Sequence, residues 1–545
     1  MNSVPWNVYP RPQLKREHYV NLNGSWDFCA AGAGEQPVYD RQILVPYPVE
    51  APLSGIGERF SEEKLLWYRR TFSWDRPREG RVLLHCGGVD QRGEVFLNGR
   101  PQGTLDALRD TVELTALHPG ENLLELRVTD RLSDVTVPYG KQREARGGMW
   151  YTPVSGIWQT VWLERVPKRY ITGLRMTPLK NGVEIRVEGV PSGILTCEGV
   201  DYPFAGSPVR IFPKEPRYWT PEDPYLYDFT VRAGEDRVES YFALRTLEIR
   251  TVEGLPRLCL NGKPLFFHGL LDQGWWPEGL WTPPDPGAYE RDILAAKALG
   301  FNTLRKHIKV EPEQFYYDCD RLGMVVFQDM VNNGKYRFFH DTVLPTVGIQ
   351  RLDDRHAHRN KAQRQRFLDQ MEATVERLRN HPSVCYWTIF NEGWGQFDSD
   401  AVYDRLKALD PTRFIDAASG WFRRTRTDVE SRHVYFKKFR VPKTNKPLVL
   451  SEFGGYSWRV PGHCFSEKNY GYRLFRERED FQAALLDLYE TQILPAVPKG
   501  LCAAVYTQLS DVEEETNGLL TYDRQTEKPD RAEMAALGEK LKFSR

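Results

Sequence analysis

At 545 residues, with Lys+Arg and Asp+Glu balanced at 74 each, the chain is too long for a single hydrophobic core. It also carries no net charge to draw it to nucleic acid or an anionic membrane. An apolar fraction of 41% and aromatics of 12% fit a globular protein, and the aromatic share suits sugar handling as well as large β-rich cores.

No apolar run reaches the roughly 18 residues of a membrane-spanning helix. The opening MNSVPWNVYP lacks the charged and apolar segments of a secretory signal. The eight cysteines, at 29, 86, 197, 259, 319, 385, 464 and 502, show no CxxC or paired spacing, and several lie in apolar runs. They read as small buried hydrophobes in a reducing compartment, which makes the expected location cytoplasmic. One stretch, from Arg351 to Arg366, is a mixed and basic loop.

From about Leu22 to Leu163 short alternating strands are broken by turn residues, as in WYRRTFSW (67–74), RVLLHCGG (81–88), GEVFLNGR (93–100) and ENLLELRVTD (121–130). Asn98-Gly99 between two such runs predicts a type I′ hairpin. The pattern predicts a jelly-roll β-sandwich over residues 1–167. A second all-β stretch includes GVEIRVEGV (182–190), GILTCEGV (193–200), YLYDFTVRAG (225–234) and RVESYFALRTL (237–247), and predicts an immunoglobulin-like sandwich over 168–250.

After about Thr251 apolar strands alternate with helical periodicity. The strands are LFFHGLL (265–271), FNTLRKH (301–307), MVVFQDM (324–330), VCYWTIF (384–390), FIDAASG (414–420), RHVYF (432–436), PLVLSEF (447–453) and LCAAVYTQL (501–509). Helical runs include YERDILAAKALG (289–300), QRFLDQMEATVERLRN (365–380) and DFQAALLDLYETQIL (480–494). Eight strands interleaved with helices predict a (β/α)8 barrel over 251–545, its sixth strand the least marked.

Barrel enzymes carry their chemistry at the C-terminal ends of the strands. Glu392, preceded by Asn391, follows the fourth strand, and Glu452 lies near the end of the seventh, before Gly454-Gly455. A lone glutamate after a strand is as well explained by a helix N-terminus or a surface ion pair. Two at one barrel mouth are what glycosidic-bond cleavage needs, one protonating the leaving oxygen while the other attacks or activates water.

These features sit within a wider resemblance. LNGSWDF (22–28), VPYPVEAPLSGIGE (45–58), LWYRRTF (66–72), VDQRGEVFLNG (89–99), SGIWQTVWLE (155–164), GFNTLRKHIKVEP (300–312), NHPSVCYWTIFNEGWGQFD (380–398), SEFGG (451–455) and YTQLSDVEEETNGLLTYDR (506–524) occur in that order. In this the chain resembles glycoside hydrolase family 2, the family of β-galactosidases, β-glucuronidases and β-mannosidases, over nearly its whole length.

The resemblance implies an exo-acting retaining β-glycosidase with Glu392 as acid/base and Glu452 as nucleophile. It implies that Asn391 hydrogen-bonds the sugar 2-hydroxyl and that Tyr435, on the sixth strand, donates to the nucleophile. Arg305 takes a structural ion-pairing role. Retention requires the two carboxyls about 5–5.5 Å apart.

Other residues at the strand ends are expected to face the sugar: Asp272 and Gln273 with Trp275 and Trp276 after the first strand, and His307 at the end of the second, beside Lys306 and Lys309. Asn332 and Asn333 follow the third strand, Trp394 lies two residues beyond Glu392, Trp421 follows the fifth, and Tyr506 and Gln508 lie on the eighth. For each ring, packing is the competing reading.

The family's galactosidases carry Arg-His-Glu where this chain reads Asp272-Gln273-Gly274, which weakens a galactose-specific reading. Its glucuronidases place Asn-x-Lys where this chain reads Glu515-Thr516-Asn517, and Glu515 would repel a uronate. Trp150 replaces the aspartate that glucuronidases present to the pocket. No metal-ligand cluster is expected, since His381 and His433 lack partners at ligand spacing, and no cofactor is needed. The expected partner is a glycoside; the family's habits suggest a homo-oligomer, and the competing class is a carbohydrate-binding protein on an inactive hydrolase scaffold.

Overall fold

A computed structural model describes residues 4–75, 80–346, 349 and 353–543. Residues 1–3 of the opening segment, and Arg351 and Leu352 of the basic stretch, lie outside the described residues. Three β-rich units follow one another: two antiparallel sandwiches and a nearly closed eight-stranded parallel barrel.

The first sandwich pairs a six-stranded sheet with a four-stranded one. In the long strands Lys64–Trp74 and Gly120–Thr129 alternate residues are buried, which is the signature of a sheet with one face on the core. Strands Arg92–Leu97 and Arg100–Asp106 are joined by the two-residue turn Asn98-Gly99. Both turn residues are left-handed, with φ of 52° and 74°, as a type I′ turn requires. The second sandwich has seven strands between Gly173 and Phe242, in sheets of three and four.

Between this sandwich and the barrel lies a hairpin, Leu247–Val252 with Leu255–Leu260, where the sequence pattern had placed the end of one unit and the start of the next. Its Leu258 and Leu260 pack with Phe267, Phe327, Tyr386 and Phe414 of the barrel strands. Arg245, just ahead of the hairpin, donates to the carbonyls of Pro382 and Val384 at 2.7 and 2.8 Å. It thereby anchors the start of the strand that ends in Glu392.

The barrel strands are Phe267–Asp272, Thr303–Lys306, Val325–Asp329, Val384–Asn391, Phe414–Ser419, Glu430–Val434, Leu448–Gly454 and Leu501–Thr507. All are parallel, in chain order around the sheet. Except for the sixth, every residue in them is buried, which is why they read as continuous apolar runs. The sixth strand pairs only with the seventh. Its gap to the fifth is bridged by side chains: Ser431 donates to Asp416 at 3.1 Å, and Ser419 meets His433 at 3.0 Å.

Tyr435 therefore lies one residue past the sixth strand rather than on it, and His307 one residue past the second. The helix expected at 365–380 runs Lys361–Leu378, because Asn360 caps it by accepting from the amides of Ala362 and Gln363. This also turns the end of the basic stretch into helix.

Among the described residues no helix is long and apolar enough to cross a membrane. All eight cysteines are free, seven of them buried and Cys464 partly exposed. Under native conditions a thiol reagent should therefore titrate one fast-reacting group, and all eight only in denaturant. Several fast thiols in the native protein would contradict the packing.

Candidate active site

The barrel mouth ties four of the eight strands together through one buried cation. Arg305, 1% exposed, donates from Nε to Asp329 at 2.9 Å and from Nη1 to both the Ser451 carbonyl at 3.0 Å and Glu452 Oε1 at 2.9 Å. Its Nη2 donates to Asn391 Oδ1 at 2.8 Å. A guanidinium in low dielectric demands such compensation. Arg305 is thus more than the expected structural ion pair, since two of its partners are the candidate nucleophile and the candidate 2-hydroxyl ligand. Holding the Asn391 oxygen leaves that amide's N–H groups to meet substrate.

Glu452 is 4% exposed. Its other oxygen, Oε2, accepts from the Tyr435 hydroxyl, which also lies 3.2 Å from Thr507 Oγ1. The Tyr435 ring is stacked on Tyr472 with centroids 3.7 Å apart. Burial pushes the Glu452 carboxyl up, but the charges of His433, Arg305 and His307, with the Tyr435 hydrogen bond, outweigh it and bring it down to about 2. It is an anion at neutral pH with an organised set of donors.

Glu392 stands opposite. Its backbone is left-handed, with φ of 53°, a conformation that costs a non-glycine residue about 1–3 kcal/mol and is sustained only by its surroundings. The Glu392 amide donates to the Ser419 carbonyl at 3.0 Å, and Trp421 Nε1 donates to the Glu392 carbonyl at 3.1 Å. Both hold the peptide that aims the carboxyl inward.

The contact that sequence reading missed is His433. Its side chain is fully buried, with Nδ1 at 2.8 Å from Glu392 Oε1 and 3.5 Å from Glu452 Oε2. One oxygen of each glutamate and a His433 nitrogen all lie within 4.8 Å of one another. Spacing along the chain gave His433 no partner because its partners come from other strands. The only local signal was the glycine before Trp421. At Gly420, with φ of 87°, a Cβ would lie 2.7 Å from the imidazole, so the ring needs a glycine there.

Although a carboxylate–histidine–carboxylate group has the composition of a metal site, both oxygens of Glu452 already accept from Arg305 and Tyr435. The donor set suits proton and nucleophile chemistry better than a cation.

The remaining expected residues divide. His307 lies close by: its Nδ1 is 2.7 Å from Asp329, and burial pushes the ring's basicity down. Asp272 is engaged by Lys306 at 2.6 Å and by the Gly274 amide. Lys306 and Lys309 both pair with Glu311 at 2.9 Å, and four tryptophan rings, of 158, 275, 276 and 281, surround the Lys309 ammonium. These residues join the barrel to the first sandwich.

Tyr506 is fully buried, its hydroxyl accepting from the Tyr456 amide at 3.1 Å. Trp394 is 3% exposed, donating to the Gly334 carbonyl at 2.8 Å and packed edge-on against Tyr139 and Trp150. Asn333 donates to the carbonyls of Thr136 and Gln363. Gln508 donates to Asn517 at 2.9 Å, and Asn332 to the Trp394 carbonyl at 2.7 Å. The buried side-chain oxygens of Gln273, Asn332 and Gln508 have no donor among the described residues.

Glu515 accepts from Tyr151 and from Asn517 at 3.0 Å, and burial raises its carboxyl. Tyr139, Trp150 and Tyr151 belong to a loop of the first sandwich that reaches the barrel mouth, where Tyr139 and Trp150 share a cluster with Ile308, Val331 and Trp394.

A family model described as "Glycosyl hydrolases family 2, TIM barrel domain" matches residues 252–537. A β-galactosidase of Aeromonas hydrophila is 28% identical over 534 residues, covering 83% of this chain and 48% of its own. A putative β-glucuronidase of Formosa agariphila is 25% identical over 401 residues, covering 67% of this chain and 35% of its own. The chain thus spans about half the length, or less, of these curated relatives.

Among solved structures, a family 2 β-galacturonidase from Eisenbergiella tayi bound to galacturonate is similar at a TM-score of 0.71 and 20% identity, covering 98% of this chain and 100% of that one. A β-D-glucuronidase from Dictyoglomus thermophilum is similar at 0.73 and 18%, covering 98% of both chains. At these identities the likeness is one of fold.

The depressed acidity of Glu452 predicts a pH dependence of stability. A carboxyl at about 2 in the fold and about 4.3 in the unfolded chain stabilises the protein above pH 4.3 and loses that contribution as pH falls toward 2. Urea unfolding of wild type and Glu452→Gln should show the wild type losing ground to the variant across that window. A difference that stays constant with pH contradicts the assignment.

Proposed function

The chain belongs to glycoside hydrolase family 2, and on that premise we propose that it is a retaining, exo-acting β-glycosidase working by double displacement. The observation that carries this reading is the approach of Glu392 and Glu452 to within 4.8 Å, oxygen to oxygen. Carboxyls whose nearest oxygens come this close suit direct attack, where the groups stand about 5–5.5 Å apart, better than an interposed water, which needs about 6.5–9.5 Å.

Glu452, held ionised between Arg305 and Tyr435, attacks the anomeric carbon. Glu392 delivers its proton to the leaving oxygen. In the glycosyl-enzyme the negative charge of Glu452 is consumed, and Glu392, now ionised, takes a proton from the water that releases the sugar. Asn391, fixed by Arg305, offers its amide N–H groups to the 2-hydroxyl, a contact that strengthens in the transition state. The loop of the first sandwich that packs Tyr139 and Trp150 on Trp394 closes one side of the mouth, which supports removal of terminal sugars. The donorless oxygens of Gln273, Asn332 and Gln508 suit sugar hydroxyls.

The glycone we favour is neutral and galactoside-like in a broad sense, with β-mannosides, arabinosides and galactofuranosides as alternatives, because Glu515 raises the cost of an anionic sugar. One observation favours a uronide instead: Lys141, 8% exposed, has no ion-pair partner among the described residues, and its ammonium lies 5.7 Å from the Trp150 ring.

A panel of nitrophenyl glycosides including both uronides separates these readings. Wild type is expected to hydrolyse at least one β-glycoside with retention, followed by proton NMR of the first-formed sugar. Glu452→Gln should abolish turnover. Glu392→Ala should lose about 10²–10⁴-fold, recovered in part by azide with formation of the β-glycosyl azide. Inversion, or full activity in Glu452→Gln, overturns the mechanism. Binding without hydrolysis across the panel points to a carbohydrate-binding protein.

A further inference from the structure

Taking Glu392 as the acid/base, the surroundings of His433 bear on how the catalytic proton is held. Ser451 Oγ is 3.2 Å from the Arg432 carbonyl, which only a donated hydrogen satisfies. Ser419 Oγ, 2.9 Å away, then donates to Ser451. A hydroxyl has one hydrogen, so toward His433 Nε2, at 3.0 Å, Ser419 presents a lone pair. The relay therefore requires a proton on Nε2 and leaves Nδ1 of the neutral ring as an acceptor, 2.8 Å from Glu392 Oε1.

We propose that His433 and Glu392 together hold one shared proton, and that His433 is the positioning residue that sets when Glu392 is acid and when it is base. With the proton on Glu392, the carboxylic acid donates to Nδ1. With it on His433, the imidazolium donates to the carboxylate. Either form keeps a proton at the leaving-group side while Glu452 is an anion. Once Glu452 is esterified, the negative charge 3.5 Å from Nδ1 is gone, so the pair releases its proton and Glu392 is left as a base.

The charged groups acting on the ring are Glu392 from the fourth strand, Asp416 from the fifth and Glu452 from the seventh. Arg305 from the second strand acts across Glu452, and Tyr435 donates to that same carboxylate. With two carboxylates in direct reach, the ring works as a proton holder.

The test has two arms. In kinetics, His433→Asn should move the basic limb of kcat/KM. It should also slow alkyl glycosides by a part of the roughly 10²–10⁴-fold that general acid catalysis supplies, while sparing dinitrophenyl glycosides, whose leaving group needs no proton. Ser419→Ala should shift the limb in the same sense but less. A uniform loss over all leaving groups with an unmoved pH profile would make His433 merely structural and overturn the proposal.

The second arm needs no turnover. Nitrogen-15 NMR of imidazole-labelled full-length protein, with the His433 signal identified by its absence from His433→Asn, should show the Nε2–H tautomer. In Glu392→Gln the titration of that signal should move, because its partner is lost. An Nδ1–H tautomer, or a titration indifferent to Glu392→Gln, overturns the proposal whether or not a substrate has been found. Absence of hydrolysis in wild type with the NMR result as expected counts against the glycosidase reading alone.

Discussion

The site is organised by one buried guanidinium. Arg305 rises from the second barrel strand into the interior and bonds to groups from the third, fourth and seventh strands. Four strands of a parallel barrel are thereby tied at the level where their C-terminal ends open. A charge in that setting is tolerated only with nearly every N–H engaged, and removing one partner of a buried pair typically costs about 3–5 kcal/mol. The same demand that makes the arginine expensive fixes Glu452 and Asn391 in place before any ligand arrives, which is the preorganisation that electrostatic catalysis depends on.

Around that cation the signs alternate. Asp329 balances Arg305 from below and also meets His307. Above it stand Glu452 and then His433 beside both glutamates. On the proposed mechanism the nucleophile must be ionised and the acid must hold a proton, although both are glutamates whose nearest oxygens lie within 4.8 Å. The barrel separates them by neighbours rather than by residue type. Glu452 receives a guanidinium and a phenol, while Glu392 receives an imidazole ring and, among the described residues, no permanent cation within ion-pair reach.

The domains before the barrel contribute to the site in unequal ways. The segment between the second sandwich and the barrel works from beneath, through Arg245 and the hairpin that packs against the strands. The first sandwich works from above, by laying Tyr139, Trp150 and Tyr151 over the mouth, so that Trp394, two residues beyond Glu392, is covered by rings from another domain. Four tryptophans ring Lys309 at one of these joints.

Much of this was legible in the chain. Alternating burial in the sandwiches, continuous apolar runs in the barrel, the Asn98-Gly99 turn and the two glutamates at strand ends are consequences of local geometry, and local geometry is written in neighbouring residues. The hairpin before the barrel was less legible, because it depends on what it packs against, whereas the early start of the Lys361–Leu378 helix follows from the local Asn360 cap that the sequence reading passed over.

Least legible were His433, the second role of Arg305 and the engagement of Asp272 by Lys306. Each is a contact between strands whose separation in sequence says nothing about their separation in space. The sequence by itself pointed to the fold class and the family and placed two glutamates at strand ends, since those follow from periodicity and motif. Only the tertiary structure decided what each glutamate faces. The environment of a carboxyl in a parallel barrel is supplied by other strands, and closing the barrel is what brings them together.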